Sequence, residues 1–393
     1  MYTQDTPVHV KLWHKDFWLM AVANLLLTVA VYIQIPLLPV WMMDNAGFSS
    51  AVVAISLGAF GLGVFSLGCF CSYFVQKYRR NLVCIRAILV LIICFCILYY
   101  MQHGHLFLIE GYILIPIIRF IQGAVFGLAQ MVLSSTLIID TCESFQRTEA
   151  NHSSAWFSRL ALSLGPLIFL LLTPVVTICT ITLISAVLCF LSVILILLVK
   201  FPFRAPEDVI CKISFDRFFL PQGKWLFINL SLITTVVGLF LSVEHTLSFY
   251  IMLTVGFALS LLSQRYIFIN TELKSEIITG IILMITSCLL DYSNGKNIIT
   301  FISPVLFGSG IGIIGARFLL FFLKLSRHCQ RGTSQSTFFL SWELGISLGL
   351  FLGYYFLYKN FDALFSVSIT ILCVSLTMYF VFTHKWYLNN KTR

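Results

Sequence analysis

The chain has 393 residues, of which 59% are hydrophobic and only 10% charged, and its mean hydropathy is +0.96. A soluble domain carries about 25% charged residues, so no water-facing packing covers this much apolar surface, and lipid has to be the solvent. The net charge of +9 does not indicate a nucleic-acid partner, because Lys and Arg fall in short clusters between apolar runs rather than in one patch.

The N-terminal apolar run is too long for the core of a cleavable signal and contains Pro36 and Pro39 where a small-residue cleavage site belongs. Spanning a bilayer takes roughly 20 apolar residues. In chain order, candidate spans cover approximately 17–40, 50–74, 82–100, 107–136, 154–173 and 176–200. After a polar stretch come 224–243, 246–263, 275–291, 297–323, 334–358 and 361–383. The predicted fold class is therefore an all-α membrane protein with twelve transmembrane helices. It divides into a six-helix half over 1–200, a cytoplasmic linker over 201–223 and a second six-helix half over 224–393.

Charge gives the orientation. With both termini inside, twenty of the 25 Lys and Arg lie in cytoplasmic segments or adjoining helix ends. Lys296 and Lys359 alone fall on the other side, and Arg119, Arg159 and Arg317 lie within spans. That asymmetry follows the positive-inside rule and also checks the span count, since one missed helix would scramble it. The linker carries Pro202, Pro206 and Pro221 among charges and aromatics, and reads as a connection outside the bilayer with room for a short surface helix.

The twelve cysteines mostly sit in apolar stretches, where Cys acts as a small hydrophobe. No His or carboxylate accompanies the C-x-C pairs at 69/71 and 94/96, and His103 and His105 belong to an outer loop, so no metal site and no cofactor are expected. Gly58, Gly61, Gly63, Gly68, Gly123 and Gly127 read as points of close helix approach.

An internal repeat runs through the chain. Gln146-Arg147, Arg159 and Ser163-Leu164-Gly165 recur as Gln330-Arg331, Glu343 and Ser347-Leu348-Gly349, each offset by 184 residues. Both copies start where a cytoplasmic loop enters a helix, the fifth and the eleventh. Parallel repeats related by an axis along the membrane normal are one known transporter plan, with the site between the halves.

Charges inside spans are the candidate site. A charged side chain at the bilayer centre costs about 2.5–3.5 kcal/mol on insertion scales, so one that persists faces a wet cavity or a partner. Arg119 lies near the middle of the fourth span and is expected to face a central cavity. Glu343, in the eleventh, is an acid that in a low-dielectric site can load and release a proton near neutrality. Arg159 is its repeat counterpart, and the two are expected to form a coupled pair. Arg317, late in the tenth span, is expected to snorkel to the surface, and Asp140 and Glu143 to be solvated at the end of the fourth. Asn24, Thr28 and Tyr32 recur every four residues and share one face of the first helix. Such a stripe is either interhelical glue or a cavity wall, and Trp342 is a further candidate for the wall.

Three local patterns resemble the major facilitator superfamily. The first helix ends Pro36-Leu37-Leu38-Pro39, followed by Gly47-Phe48-Ser49 and Gly58. The loop between the second and third helices reads Ser72 to Asn81, SYFVQKYRRN, against a family pattern of Gly, three residues, Asp, a basic residue, any residue, Gly and two basic residues. Arg119-Phe120-Ile121-Gln122-Gly123 is similar to the family's Arg-x-x-Gln-Gly, which adds Gln122 to the candidates. Within the loop the resemblance implies a gating role for Gln76, Lys77, Arg79 and Arg80. Gln76 stands where the family has an acid, and it can hydrogen-bond but not clamp as a charge would. Ala161 to Pro166 partly resembles the core motif of drug–proton antiporters.

The resemblance implies a monomeric secondary transporter that moves a small-molecule substrate by alternating access. The expectation is proton-coupled export, of drug- or sugar-efflux type, from a multi-pass protein of a bacterial inner membrane. A proton-linked uptake symporter is the alternative. An intramembrane transferase is less favoured, because no His, Asp or Cys pair lies at catalytic spacing near a membrane surface.

Overall fold

A computed structural model of the chain describes residues 11–104, 108–201, 211–268, 271–293, 299–327 and 330–391. His105, Arg204, Lys296 and Arg393, and positions 202–210 of the linker, lie outside the described residues.

Among the described residues, twelve helices are long and apolar enough to cross a membrane. They are α1 (Lys15–Asn45), α2 (Ser50–Lys77), α3 (Arg80–Gln102), α4 (Gly111–Asp140), α5 (Arg147–Leu172) and α6 (Ile178–Leu197), then α7 (Pro221–Leu241), α8 (Leu247–Tyr266), α9 (Leu273–Tyr292), α10 (Thr300–Leu325), α11 (Arg331–Phe356) and α12 (Phe361–Asn390). Each satisfies its own backbone hydrogen bonds, which is what lipid demands of a spanning segment. Leu62, Ile93, Ile113 and Val381 are exposed on the outside of the bundle, as suits side chains facing acyl chains.

Within the first six helices, α1 packs on α5 and α6, and α4 on α2 and α3; within the last six, α11 packs on α7, and α10 on α8 and α9. Glycine sets the closest of these approaches, as the sequence suggested. A Cβ on Gly63 would run into the carbonyl oxygen of Phe120, and one on Gly123 into that of Phe60. α7 and α11 meet the same way, with a Cβ on Gly349 striking the carbonyl oxygen of Thr235. Between the two groups of helices the main contacts are α2 and α4 with α11, and α5 with α8 and α10. There a Cβ on Gly61 would strike the Ser347 side chain, and one on Gly58 would meet the Phe351 ring at 3.2 Å.

The described part of the linker departs from the expected surface helix. Residues 211–220 form turns and thread between the two groups on the basic face. Asp216 accepts from Ser72 Oγ at 3.3 Å on one side and from Thr333 Oγ1 at 3.1 Å on the other. The amides of Arg217 and Leu220 donate to Thr333 and Thr337 of α11, and a Cβ on Gly68 would collide with the Phe218 ring. Proline-rich, charged composition signals a loop, but it does not reveal that hydroxyls on α11 capture that loop's backbone.

Between α7 and α8, on the opposite face, the His245 ring stacks on Phe249 at 3.6 Å between centroids and meets the Phe240 carbonyl oxygen through Nε2 at 2.7 Å. Burial lowers this imidazole to about 4, the Phe240 carbonyl pulling weakly the other way. The unfolded chain takes that proton near the ordinary value of about 6.5. His245 therefore contributes stability that is whole above that pH and is lost as pH falls toward 4. The unfolding temperature of the purified protein should drop between pH 7 and pH 5, and His245→Phe should flatten that drop; equal slopes in the two proteins would refute the assignment.

Candidate functional site

A small cavity of about 30 Å³ lies where the two groups of helices meet, and both groups line it. Thr28 and Tyr32 come from α1, Gln130 and Ser134 from α4, Ser158 and Arg159 from α5, and Gln335, Phe338, Phe339, Trp342 and Glu343 from α11. One water needs roughly 10–15 Å³ of such space, so this conformation admits a water or two and no larger solute.

The stripe on α1 serves both purposes the sequence allowed. Asn24 is glue, donating to Ser158 Oγ at 2.7 Å on α5. Thr28 accepts from Gln130 Nε2 at 2.8 Å, and Tyr32 donates its hydroxyl to Glu343 Oε1 at 2.5 Å. That last bond crosses between the groups, and with the acid ionised it belongs to the stronger, charge-assisted class of hydrogen bond.

Arg159 and Glu343 share the cavity but form no ion pair in this conformation, contrary to the expected coupling. The carboxylate takes the nearer phenol of Tyr32 instead. Arg159, 2% exposed, donates Nε to the Ala155 carbonyl at 3.0 Å and lays its guanidinium over Trp156 at 4.2 Å. Its two terminal nitrogens have no hydrogen-bond partner. A Cβ on Gly315 of α10 would come within 2.9 Å of Arg159 Cδ and 3.1 Å of the Trp342 ring. The absence of a side chain at Gly315 is what leaves space for both. The result is a buried cation with an open fork and a carboxyl held by a phenol, in a cavity that three aromatic side chains from α11 also line.

The remaining candidates fall elsewhere. Arg119 is 3% exposed, but it packs over the Phe60 ring of α2 at 4.6 Å and donates to Gln122 Oε1 at 2.9 Å. Neither Arg119 nor Gln122 is among the residues lining the central cavity. An aromatic face and a side-chain amide one turn away give this cation partners among the first six helices, so depth in the span alone misplaced it. Arg317 does not snorkel: it pairs with Glu276 of α9, which is 1% exposed. Asp140 is not merely solvated either, since Arg80 of α3 bridges to it at 2.5 Å. Of the loop residues, Lys77 donates to Tyr73 Oη at 2.7 Å and lies over the Tyr73 and Tyr78 rings, Arg79 is exposed and Gln76 half-buried.

Gln130, Ser134, Ser158, Gln335, Phe338 and Phe339 were not anticipated. The repeat offset held a signal for one of them: Gln335 is Asn151 displaced by 184, and both are buried amides. In α4 a π-helical turn over Leu133–Leu137 breaks the regular register. Such a turn often marks a functional position. Here it sends Ser134 to the central cavity and the adjacent Ser135 and Thr136 to a second cavity on the basic face.

Twelve spans in this arrangement have the fold of the major facilitator superfamily. A crystal structure of a point mutant of the nucleoside transporter NupG is similar at a TM-score of 0.67 and 12% identity, covering 94% of this chain and 100% of that one. The human organic anion transporter MFSD10 (TETRAN) is similar at a TM-score of 0.67 and 12% identity, over 92% of this chain and 98% of its own. NupG without that mutation gives a TM-score of 0.62 at 11% identity, covering 93% and 99%. No family model matches the sequence, and no curated protein matches it.

Proposed function

We propose that the chain is a secondary transporter of a small organic anion with an apolar body, coupled to protons at Glu343. The observation that carries this reading is the open guanidinium fork of Arg159 beside Glu343 in a cavity shared by both halves. The fork suits a carboxylate or similar group bidentately, and Phe338, Phe339 and Trp342 suit an apolar body. The likeness in fold to the organic anion transporter MFSD10 supports an anionic substrate without identifying it. Because the cavity admits only a water or two, substrate enters when the halves 1–200 and 224–393 part, with 201–223 linking them, which is alternating access.

The charges also favour a direction of coupling. Two like unit charges roughly 6 Å apart at an effective dielectric of about 20 repel by about 3 kcal/mol. An anion on Arg159 is therefore opposed by ionised Glu343 and helped by the protonated acid. Substrate and proton then favour one another's binding, which is reciprocal by linkage, and this supports symport over the exchange expected from the antiporter-like motif. The test is flux in proteoliposomes over a panel of aromatic and aliphatic carboxylates and organic cations. Uphill uptake of a carboxylate driven by a proton gradient is the expected result. Cation uptake against an outward-moving proton, with no carboxylate transported, would overturn it and restore proton-coupled efflux.

A further inference from the structure

On the basic face lies a second, larger cavity of about 340 Å³, separate from the central one in every lining residue. Four arginines line it from four segments: Arg80 at the start of α3, Arg147 at the start of α5, Arg217 in the linker and Arg331 at the start of α11. Only two acids, Asp140 and Asp216, lie among them. Asp140 is engaged by Arg80 at 2.5 Å, and Asp216 stands 3.6 Å from Arg217 Nε while accepting from Ser72 and Thr333. The lining therefore carries two more positive charges than negative ones. Arg147 and Arg331 are the repeat-related pair of the sequence, each opening a helix of 26 residues, so two positive helix ends add to the excess.

Three groups in this lining are built for an acceptor that the protein does not supply. Arg147 Nε, Arg217 Nη1 and Ser135 Oγ are buried without a hydrogen-bond partner, and Ser135 is 7% exposed. Arg217 is held in the left-handed region at φ 58, a conformation that costs a non-glycine residue energy and persists only when its surroundings impose it. Burial first, and then the like charge of Arg80, press its guanidinium below the ordinary range. An anion in the cavity would offset both by favouring the charged guanidinium.

We propose that this cavity is a binding site for a phosphate-type anion, either free phosphate or the headgroup of an acidic lipid. Several guanidinium forks around one centre match a tetrahedral oxyanion better than a carboxylate, and the volume admits phosphate with part of its hydration shell. Because the site takes residues from both groups of helices and from the linker, the anion binds this conformation better than one in which Arg147 and Arg331 separate. It therefore holds the basic face closed. The site is independent of the transport reading, and its test needs no transported substrate.

The test is thermal unfolding of the full chain in neutral detergent, followed by tryptophan fluorescence. One arm titrates sodium phosphate against sodium chloride at constant ionic strength; the other titrates short-chain phosphatidylglycerol against phosphatidylcholine. The expected result is a saturable rise of about 2–5 °C, with apparent affinity falling at least tenfold in Arg217→Gln and Arg331→Gln. Asp216→Asn removes a competing charge and should tighten binding, which keeps the test open if an arginine variant fails to fold. A rise with phosphate alone supports the site with a soluble ligand, and a rise with phosphatidylglycerol alone supports it with a lipid headgroup. Absence of a rise in both arms overturns the proposal, as does a rise unchanged in all three variants.

Discussion

Glu343→Gln is expected to retain exchange of labelled substrate across a proteoliposome membrane while losing at least tenfold in accumulation driven by a proton gradient. Gln is close in shape to the protonated acid and can still meet the Tyr32 hydroxyl, so the cavity keeps its form. What it loses is the ability to lose a proton, and with it the term that makes binding depend on pH. Exchange should become nearly flat between pH 5.5 and 8, where the unmodified protein slows as pH rises. Tyr32→Phe removes the 2.5 Å bond between the two groups of helices without removing the acid. It should therefore keep accumulation but shift its pH profile. If Glu343→Gln accumulates substrate with unchanged pH dependence, the acid is not the coupling group.

Arg159→Ala is expected to remove carboxylate binding rather than turnover alone. A hydrogen bond to a charged group is worth about 1.5–3 kcal/mol, so losing the fork should weaken apparent affinity by about 10–100-fold or more. Arg159→Lys keeps the charge but loses the bidentate geometry and should recover only part of the affinity. Truncation also opens a void between Gly315 and Trp342, so each variant must be shown monodisperse by gel filtration before flux is compared. Arg119→Ala is the contrasting variant. Its partners are Phe60 and Gln122, both among the first six helices, so it should lower the unfolding temperature while leaving the substrate affinity of the folded fraction within about twofold. Equal affinity losses in both variants would show that the cavity is not where binding occurs.

Much of the architecture was legible because lipid imposes simple rules. Span length and the distribution of Lys and Arg follow from solvent physics, and the offset of 184 singled out Arg159 and Glu343, which meet in one cavity. The four-residue spacing of Asn24, Thr28 and Tyr32 gave their shared face. Pairing was the part that did not read out, because it depends on which neighbour reaches a charge first. Glu343 meets a phenol on α1 that lies 311 positions away in sequence, and the Arg119 guanidinium finds an aromatic face on α2. Glu276 escaped notice because it sits in the first turn of its helix, where acids are commonplace. Only the tertiary fold shows that Arg317 covers it.

The glycine contacts carry a mechanical consequence. Inside each group of helices several close approaches are chain against chain: Gly63 and Gly123 against backbone oxygens of the facing helices, Gly349 against that of Thr235. Such joints cannot slide without tearing ladders of carbonyls past one another, so they act as welds. Across the boundary Gly58, Gly61 and Gly315 instead meet the side chains of Phe351, Ser347 and Arg159, which can swing between rotamers. Gly332, where a Cβ would come within 2.8 Å of the Ser135 carbonyl oxygen, instead meets backbone, and it sits on the basic face. These glycine contacts are therefore stiff inside each group and softer where the groups meet, with a backbone contact at the basic end.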